Sequence, residues 1–294
     1  MKLLITGGKG FIARGLAEQL GAGYDISAPG RQELDLLDAG RVAAFLKAGR
    51  FDAVVHCANY DAAPKLSVKD PAKVLENNLR MFFNLARRGG DFGRLLYFGS
   101  GAEFGREHWK PRMAEEYFDA HVPSDQYGFS KYVMTKHALA SDNIYNLRLF
   151  GVFGKYDDWR YRFIPNICAR AALGLPLVVG RDRRMDFLWV DDLVRAVKWV
   201  ISGRPPRKVY NLCSGQAYDC LELARRIMAI SGKDLPLTLQ DREPGAEYSG
   251  DNSLLLADSE LKLTPMDEAL KRLYSWYGSG GDKPDREQIL GYPL

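Results

Sequence analysis

Residues 3–14 have the sequence Leu3-Leu4-Ile5-Thr6-Gly7-Gly8-Lys9-Gly10-Phe11-Ile12-Ala13-Arg14, and this stretch decides the fold. A short apolar run that ends at glycines predicts a buried parallel strand, and the glycines allow a tight turn. Apolar residues then recur at helical spacing, so a helix begins after the turn. Its first N–H groups and the positive end of its dipole suit a pyrophosphate. The stretch predicts a dinucleotide site contacted by Gly7, Lys9, Gly10, Phe11 and Ile12.

Strand and helix patterns alternate along the chain, which predicts an α/β fold with a Rossmann-type doubly wound parallel sheet. We expect a dinucleotide-binding domain over residues 1–154. A smaller C-terminal α/β substrate lobe is expected over residues 155–294, interleaved with the last strands of the sheet. The tail after Tyr277, rich in Gly, Asp, Lys and Pro, is expected to pack poorly. The predicted strands are 24–28, 51–56, 93–98 and 144–150, and the predicted helices are 41–46, 71–88, 126–140, 164–173, 192–201 and 221–230.

The composition is typical of a soluble globular protein, with 46% apolar and 27% charged residues. A net charge of +4 is too small to indicate nucleic acid, and the local basic cluster Arg181, Arg183 and Arg184 is either a solvated loop or an anion site. No apolar stretch approaches the roughly 20 residues of a membrane span. The four cysteines show neither C-x-x-C spacing nor the framework of a secreted protein, so we expect reduced, mostly buried thiols and a cytoplasmic location. The four histidines lack metal-ligand spacing, so we expect no metal site.

The end of the second predicted strand bears on the choice between NAD and NADP. In a dinucleotide fold, an acidic residue about 20 positions after the glycines binds the ribose hydroxyls of NAD. Here the strand ends Ala28-Pro29-Gly30-Arg31 without a carboxylate at its tip, and Asp25 lies within the strand. Arg31 and Lys9 could instead pair with a 2′-phosphate, unless both are surface charges. We therefore favour NADP(H) over NAD(H).

Tyr127 and Lys131 lie four residues apart on a predicted helix and project from the same face. A free tyrosine titrates near ~10, and a neighbouring ammonium is expected to lower that pKa. The pair can exchange a proton with a carbonyl or alcohol oxygen while a nicotinamide exchanges hydride. Ser100 follows the fourth predicted strand at the ligand end of the sheet, where it can hydrogen-bond the same oxygen. Because two elements converge, a catalytic group is favoured over a surface pair.

These motifs together resemble the extended short-chain dehydrogenase/reductase family, which includes nucleotide-sugar epimerases, dehydratases and reductases. By this resemblance Tyr127 is the acid/base, Lys131 binds the nicotinamide ribose, Ser100 orients the substrate and Asn78 helps to hold the cofactor site. Family members often dimerise through the helices that correspond to those of Asn78 and Tyr127, so a homodimer is one expectation. Besides the glycine turn, Ser100 and Tyr127…Lys131, the likeness extends over residues 148–154, 186–192, 210–215 and 242–245.

Departures from the family pattern narrow the reaction. Sugar 4,6-dehydratases carry Asp-Glu directly after the serine or threonine, whereas this chain has Gly101-Ala102. Proteins similar to GDP-fucose synthase use a cysteine two residues after the serine, where Ala102 stands, and a later histidine. Near that second place the chain reads Arg162-Phe163-Ile164-Pro165, without a histidine. Two reactions remain: reduction of a keto group, or the hydride removal and hydride return by which a 4-epimerase inverts its substrate.

The substrate contacts are also altered. Arg242 matches the family's second diphosphate-binding arginine, whereas the first is replaced by Met185, with Arg184 beside it. The asparagine usual after the 148–150 segment is Gly151. Arg184 and Arg242 are thus the predicted substrate-binding residues, and a substrate without a diphosphate stays open.

The leading hypothesis is an NADPH-dependent reductase of a nucleotide-linked 4-keto-6-deoxy sugar. Arg31 and Lys9 favour it, because a reductase consumes NADPH whereas the epimerases retain NAD. The alternatives are a nucleotide-sugar 4-epimerase with bound NAD and a non-catalytic NADP(H)-binding sensor. Intact Ser100, Tyr127 and Lys131 count against a sensor, and the sugar, its base and the stereochemistry stay open.

Overall fold

The computed structural model describes residues 1–62, 68–281 and 284–291. Within these ranges, no helix has the length and apolar character needed to cross a membrane. The strands are β1 Lys2–Thr6, β2 Asp25–Ser27, β3 Ala53–His56, β4 Arg94–Ser100, β5 Ile144–Leu149, β6 Gly151–Phe153, β7 Leu177–Trp189, β8 Val209–Leu212, β9 Ala217–Asp219 and β10 Leu237–Tyr248. The helices are α1 Phe11–Leu20, α2 Ala39–Gly49, α3 Val74–Ala86, α4 Gln126–Leu139, α5 Phe163–Leu173, α6 Val190–Ser202, α7 Cys220–Ser231, α8 Ser253–Ser259, α9 Met266–Gly278 and α10 Arg286–Gly291.

Six parallel strands form the main sheet in the order β2-β1-β3-β4-β5-β8. The chain runs outward from β1 to β2 and then crosses to β3 on the other side of β1. Ligands of such sheets bind at the carboxyl ends of the strands where the order reverses, here after Thr6 and His56. This topology confirms the predicted Rossmann-type fold.

Helices cover both faces of the main sheet because its strands are apolar on both sides. On β1, Leu3 and Ile5 belong to the buried cluster that contains α1 and α6 side chains. Leu4, between them, faces the opposite cluster, formed with side chains of α2, α3 and α4. All three leucine and isoleucine side chains are fully buried. The uninterrupted apolar run at residues 3–5 is thus explained by burial on two faces.

A second sheet contains β10, β7 and β6 in that order, with β9 antiparallel to β7. Its buried cluster is shared with α5, α7 and α9. Strand β6 pairs with β7 through Gly151 and Phe187, and a Cβ on Gly151 would lie only 2.6 Å from the Asp186 carbonyl oxygen. This close approach leaves no room for an asparagine at position 151. Strand β8 lies far beyond residue 154, yet it pairs with β5 in the main sheet.

The expectation of a poorly packed tail is wrong for residues 284–291. Helix α10 buries Ile289 completely in the cluster that includes α5. The Ile289 carbonyl oxygen accepts a hydrogen bond from Arg170 Nη2 at 3.1 Å, and Arg170 Nε donates to Asn166 Oδ1 at 2.9 Å. The buried Ile289 side chain anchors the segment. The composition of the tail, dominated by Gly, Asp, Lys and Pro, does not reveal this single apolar contact.

We expect Ile289→Ala to lower the free energy of unfolding by about 2–4 kcal/mol, since it empties a fully buried site. The matched control is Leu290→Ala, because Leu290 is 55% exposed. Urea unfolding of both variants measures the difference. Equal losses for the two variants would show that α10 does not dock.

Candidate active site

The glycine turn forms a cradle between β1 and α1. Gly7 has φ +69°, a conformation that favours glycine, and a Cβ on it would lie 3.0 Å from Ala58. A Cβ on Gly8 would lie 2.0 Å from the Ala28 carbonyl oxygen. Gly10 is the N-cap of α1 and has no side chain to cap the first turn. The backbone N–H groups of that turn fit a pyrophosphate, as the sequence predicts.

The cradle opens into a crevice along the carboxyl ends of the main sheet. One cavity of about 460 Å³ is lined by Gly7, Lys9, Gly10 and Arg31. A second cavity of about 480 Å³ is lined by Phe11, Ile12, Ser100, Tyr127 and Lys131, and both cavities include residues 57–59 after β3. Two joined cavities on either side of a phosphate cradle suit the two halves of a dinucleotide.

Charged side chains of both signs surround the end of β2. Lys9 Cε lies 3.2 Å from where a Cβ on Gly30 would be, and Arg31 is 74% exposed with Asp35 at 3.7 Å. The expectation that no carboxylate lies here is incomplete, because Glu33 folds back and accepts a hydrogen bond from the Gly30 N–H at 2.7 Å. The sequence does not show that the Glu33 side chain reaches back across the turn to Gly30, because Glu33 lies after the end of the strand.

Asn78 holds a loop rather than facing the crevice. It is 1% exposed, its Oδ1 accepts from the Tyr60 N–H at 2.8 Å and its Nδ2 donates to the Tyr60 carbonyl at 2.9 Å. Its neighbour Asn77 lines the first cavity. Asn78 therefore fixes the segment after β3 instead of offering its amide to a cofactor.

Tyr127, Lys131 and Ser100 meet in the second cavity. Asp125 is the N-cap of α4, and its Oδ1 accepts from the Gly128 N–H at 2.9 Å, so Tyr127 lies in the first turn of the helix. Lys131 Nζ lies 5.6 Å from the centre of the Tyr127 ring and donates to the Phe98 carbonyl at 2.9 Å. Ser100 is the last residue of β4, beside these two.

Burial dominates the protonation of this group. It raises the pKa of Tyr127 to about 12; Asp61 adds to the rise, and hydrogen bonding with Ser100 opposes it. Burial also lowers the pKa of Lys131 to about 8. The expectation that Lys131 lowers the tyrosine pKa is therefore wrong for the protein alone. The tyrosine is protonated at neutral pH, the form that can donate a proton.

A buried ionic network lies directly beneath Ser100. Glu103 is fully buried; its Oε1 accepts from the Ser100 N–H at 2.9 Å and its Oε2 from Thr135 Oγ1 at 2.7 Å and Arg148 Nε at 3.1 Å. Asn146 Nδ2 donates to Thr135 Oγ1 at 2.8 Å. The carboxylate joins β4, α4 and β5 at one point, which fixes Ser100 relative to the helix that carries Tyr127 and Lys131.

The wall facing Tyr127 contains residues that the sequence analysis missed. Asp157 and Arg162 line the cavity, and Arg162 Nη2 lies 3.7 Å from Asp61 Oδ2. Asp157 is 8% exposed, and burial raises its pKa to about 7 although Arg162 opposes the rise. The preceding residue, Tyr156, has φ +71°, an uncommon conformation for a tyrosine. Tyr156, Asp157 and Arg162 carry no periodic signal, because they belong to the loop between β6 and α5.

Arg184 is placed differently from the prediction. Met185 lines the cavity, whereas Arg184 lies near Glu247 at 3.5 Å and Asp219 at 3.9 Å and is 56% exposed. Successive residues of a strand point to opposite faces, so Met185 and Arg184 on β7 cannot both face the crevice. Arg242 belongs to β10, and its side chain lies outside the described residues.

The cysteines are free thiols, and His56 and Cys57 also line the second cavity. All four cysteines are free and three are buried. His56 Nδ1 lies 2.8 Å from Thr6 Oγ1, and burial lowers the pKa of His56 to about 3. His108 and His121 stack with ring centres 3.6 Å apart. Across the residues that the structure describes, no group of three or more potential ligands could hold a metal ion.

The chain is similar to known nucleotide-sugar epimerases and reductases in both sequence and fold. The model of the NAD dependent epimerase/dehydratase family matches residues 3–213. The dTDP-4-dehydro-6-deoxy-D-allose reductase of Streptomyces bikiniensis is 28% identical over 290 residues, covering 86% of this chain and 87% of that protein. The UDP-glucose 4-epimerase of Lacticaseibacillus casei is 26% identical over 305 residues, covering 88% and 89%. The UDP-glucose 4-epimerase structure from Thermotoga maritima superposes with TM-score 0.81 at 20% identity, covering 95% and 99%.

The raised pKa of Asp157 predicts a pH-dependent stability. Between its ordinary value of 3.8 and about 7, the carboxyl ionises in the unfolded chain but not in the folded protein. Folding therefore loses stability as pH rises through this window, by up to about 4 kcal/mol. Asp157→Asn removes that loss, so its advantage over the parent should grow from pH 4 to pH 7 in urea unfolding of the cofactor-free protein. A constant difference across the window would contradict the assignment.

Proposed function

The chain belongs to the NAD dependent epimerase/dehydratase family, and we propose that it is an NADPH-dependent reductase of a nucleotide-linked 4-keto-6-deoxy sugar. The observation that carries the proposal is the meeting of Ser100, Tyr127 and Lys131 in one cavity, adjoining another lined by Lys9 and Arg31. The 28% sequence identity to the dTDP-4-dehydro-6-deoxy-D-allose reductase of Streptomyces bikiniensis also supports a reductase.

In this proposal each residue has a defined task. When bound, NADPH supplies the hydride. Tyr127, protonated because its pKa is about 12, donates its phenolic proton to the keto oxygen as that oxygen becomes an alkoxide. Ser100 hydrogen-bonds the same oxygen, and Lys131 holds the nicotinamide ribose while its ammonium stabilises negative charge on the phenolate. Reduction begins from the protonated tyrosine, so the resting protein already has the required form.

Apolar side chains in the second cavity support a 6-deoxy substrate. Phe150, Met185 and Phe187 line it together with Ile164 and Pro165. A methyl group can bury apolar surface against these side chains. The proposed substrate therefore carries a methyl group at carbon 6.

A 4-epimerase with bound NAD is the second candidate. The observation in its favour is Glu33, whose carboxylate lies beside Gly30, since a carboxylate at the end of β2 suits the ribose hydroxyls of NAD. Arg31 and Lys9, in contrast, line the first cavity and favour a 2′-phosphate. Cofactor preference therefore separates the two candidates.

We expect Tyr127→Phe to reduce turnover by about 10²–10⁴-fold, because it removes the proton donor and keeps the ring. The assay follows NADPH consumption with dTDP- and GDP-linked 4-keto-6-deoxyhexoses. Tyr132→Phe is the matched control on the same helix, since its hydroxyl binds Asp119. NADPH affinity should stay near the parent value in both variants. Full turnover in Tyr127→Phe would end the proposed mechanism.

Cofactor preference is tested by titrating the protein with NADPH and NADH. The parent should bind NADPH more tightly, and Arg31→Ala should reduce the preference about tenfold by removing a charge-assisted contact. Arg41→Ala is a close control, because Arg41 also lies 3.7 Å from an aspartate and is 60% exposed, but does so on α2. Tighter binding of NADH by the parent would favour the epimerase.

A further inference from the structure

Tyr248, the last residue of β10, brings the second sheet into the candidate active site. It lines the cavity of Ser100 and Tyr127 and is 8% exposed. Its ring stacks on Trp109 with centres 4.1 Å apart, and Trp109 Nε1 donates to the Gly101 carbonyl at 3.0 Å. Tyr248 therefore packs against the segment that follows Ser100.

Gly101 makes this placement sterically possible. A Cβ at Gly101 would lie 2.7 Å from both Cε2 and Oη of Tyr248 and 2.8 Å from Phe150 Cε1. Any side chain there would displace the Tyr248 ring. The position that carries an acid in the sugar dehydratases is therefore filled, in this chain, by a tyrosine from a distant strand.

The Tyr248 hydroxyl adjoins the Ser100 hydroxyl. Tyr248 Oη donates to the Leu149 carbonyl at 3.4 Å and lies 2.7 Å from where a Cβ on Gly101, the residue after Ser100, would be. Burial raises the pKa of Tyr248, and the Ser100 hydroxyl opposes that rise. Ser100 Oγ accepts from the Ala102 N–H at 3.2 Å, and Tyr127 and Tyr248 line the same cavity. A hydroxyl has one proton and two acceptor sites, so one donor and one acceptor site of Ser100 are left for two tyrosines.

We propose that Tyr248 is a positioning residue that holds the Ser100 hydroxyl against Tyr127, and that Gly101 lacks a side chain so that Tyr248 can reach it. Because Tyr248 Oη donates to the Leu149 carbonyl, its oxygen can only accept from the Ser100 hydroxyl, and this sets the orientation of that hydroxyl until a keto oxygen replaces it as the acceptor. The inference rests on the proposed function, in which Ser100 and Tyr127 bind the reacting oxygen.

A double-mutant cycle tests whether Tyr248 acts through Ser100. Turnover of a dTDP-linked 4-keto-6-deoxyhexose with NADPH is measured for Tyr248→Phe, Ser100→Ala and the double variant. Losing one neutral hydrogen bond should lower kcat about three- to tenfold, with KM and NADPH affinity unchanged. In the Ser100→Ala background, Tyr248→Phe should have no further effect. Tyr218→Phe, a buried tyrosine on β9 outside this cavity, is the control and should keep the parent rate.

A second readout needs no substrate and so separates this inference from the proposed function. In protein with 13Cζ-labelled tyrosine, the Tyr127 resonance is identified by its loss in Tyr127→Phe. Tyr248→Phe should shift that resonance in the parent background but not in the Ser100→Ala background. An unmoved resonance, or additive losses of kcat in the cycle, would overturn the positioning role. A shifted resonance without turnover of any keto sugar would refute the proposed function alone.

Discussion

The fully buried carboxylate of Glu103 is the group on which the geometry of the site depends. It binds the backbone N–H of Ser100, the hydroxyl of Thr135 on α4 and the guanidinium of Arg148 on β5. Arg148 is also fully buried, and its guanidinium carbon lies 4.5 Å from the centre of the Phe104 ring. An ion pair without access to water tolerates little movement, because separating the charges leaves both unsolvated. The serine and the helix with the tyrosine and lysine are thus tied to one point.

Burial also determines the protonation of Tyr127 and Lys131. Desolvation keeps Tyr127 protonated and lowers the pKa of Lys131 to about 8. The cationic Arg162 and the anionic Asp61 act on the tyrosine from the opposite wall with opposite sign. A protonated phenol facing a hydroxyl is prepared to donate rather than to accept a proton, which is the requirement of a reductase. The same surroundings would oblige an epimerase to remove that proton first.

Local patterns are sufficient to predict the alternation of strands and helices from β1 to β5 and the helices α5, α6 and α7, but they do not predict β10, α8, α9 or α10. Strand β1, the glycine turn and α1 follow from apolar spacing, and Ser100, Tyr127 and Lys131 follow from their positions at strand and helix ends. Arg184 was misplaced because the length of β7, and with it the alternation of its faces, was not recognised. Tyr248 comes from a strand of the second sheet, about 100 or more residues after the residues that it contacts. Such contacts depend on how the second sheet packs against the first, which periodicity does not encode.

The most direct test of this account is the unfolding free energy of Glu103→Gln, measured in urea against Glu107→Gln, an exposed glutamate in the next turn. Glutamine keeps the shape of the side chain but leaves the buried Arg148 guanidinium without its counter-charge. The account predicts a loss of about 3–5 kcal/mol for Glu103→Gln and little change for the control. Equal, small losses for the two variants would contradict the claim that this ion pair holds the site together.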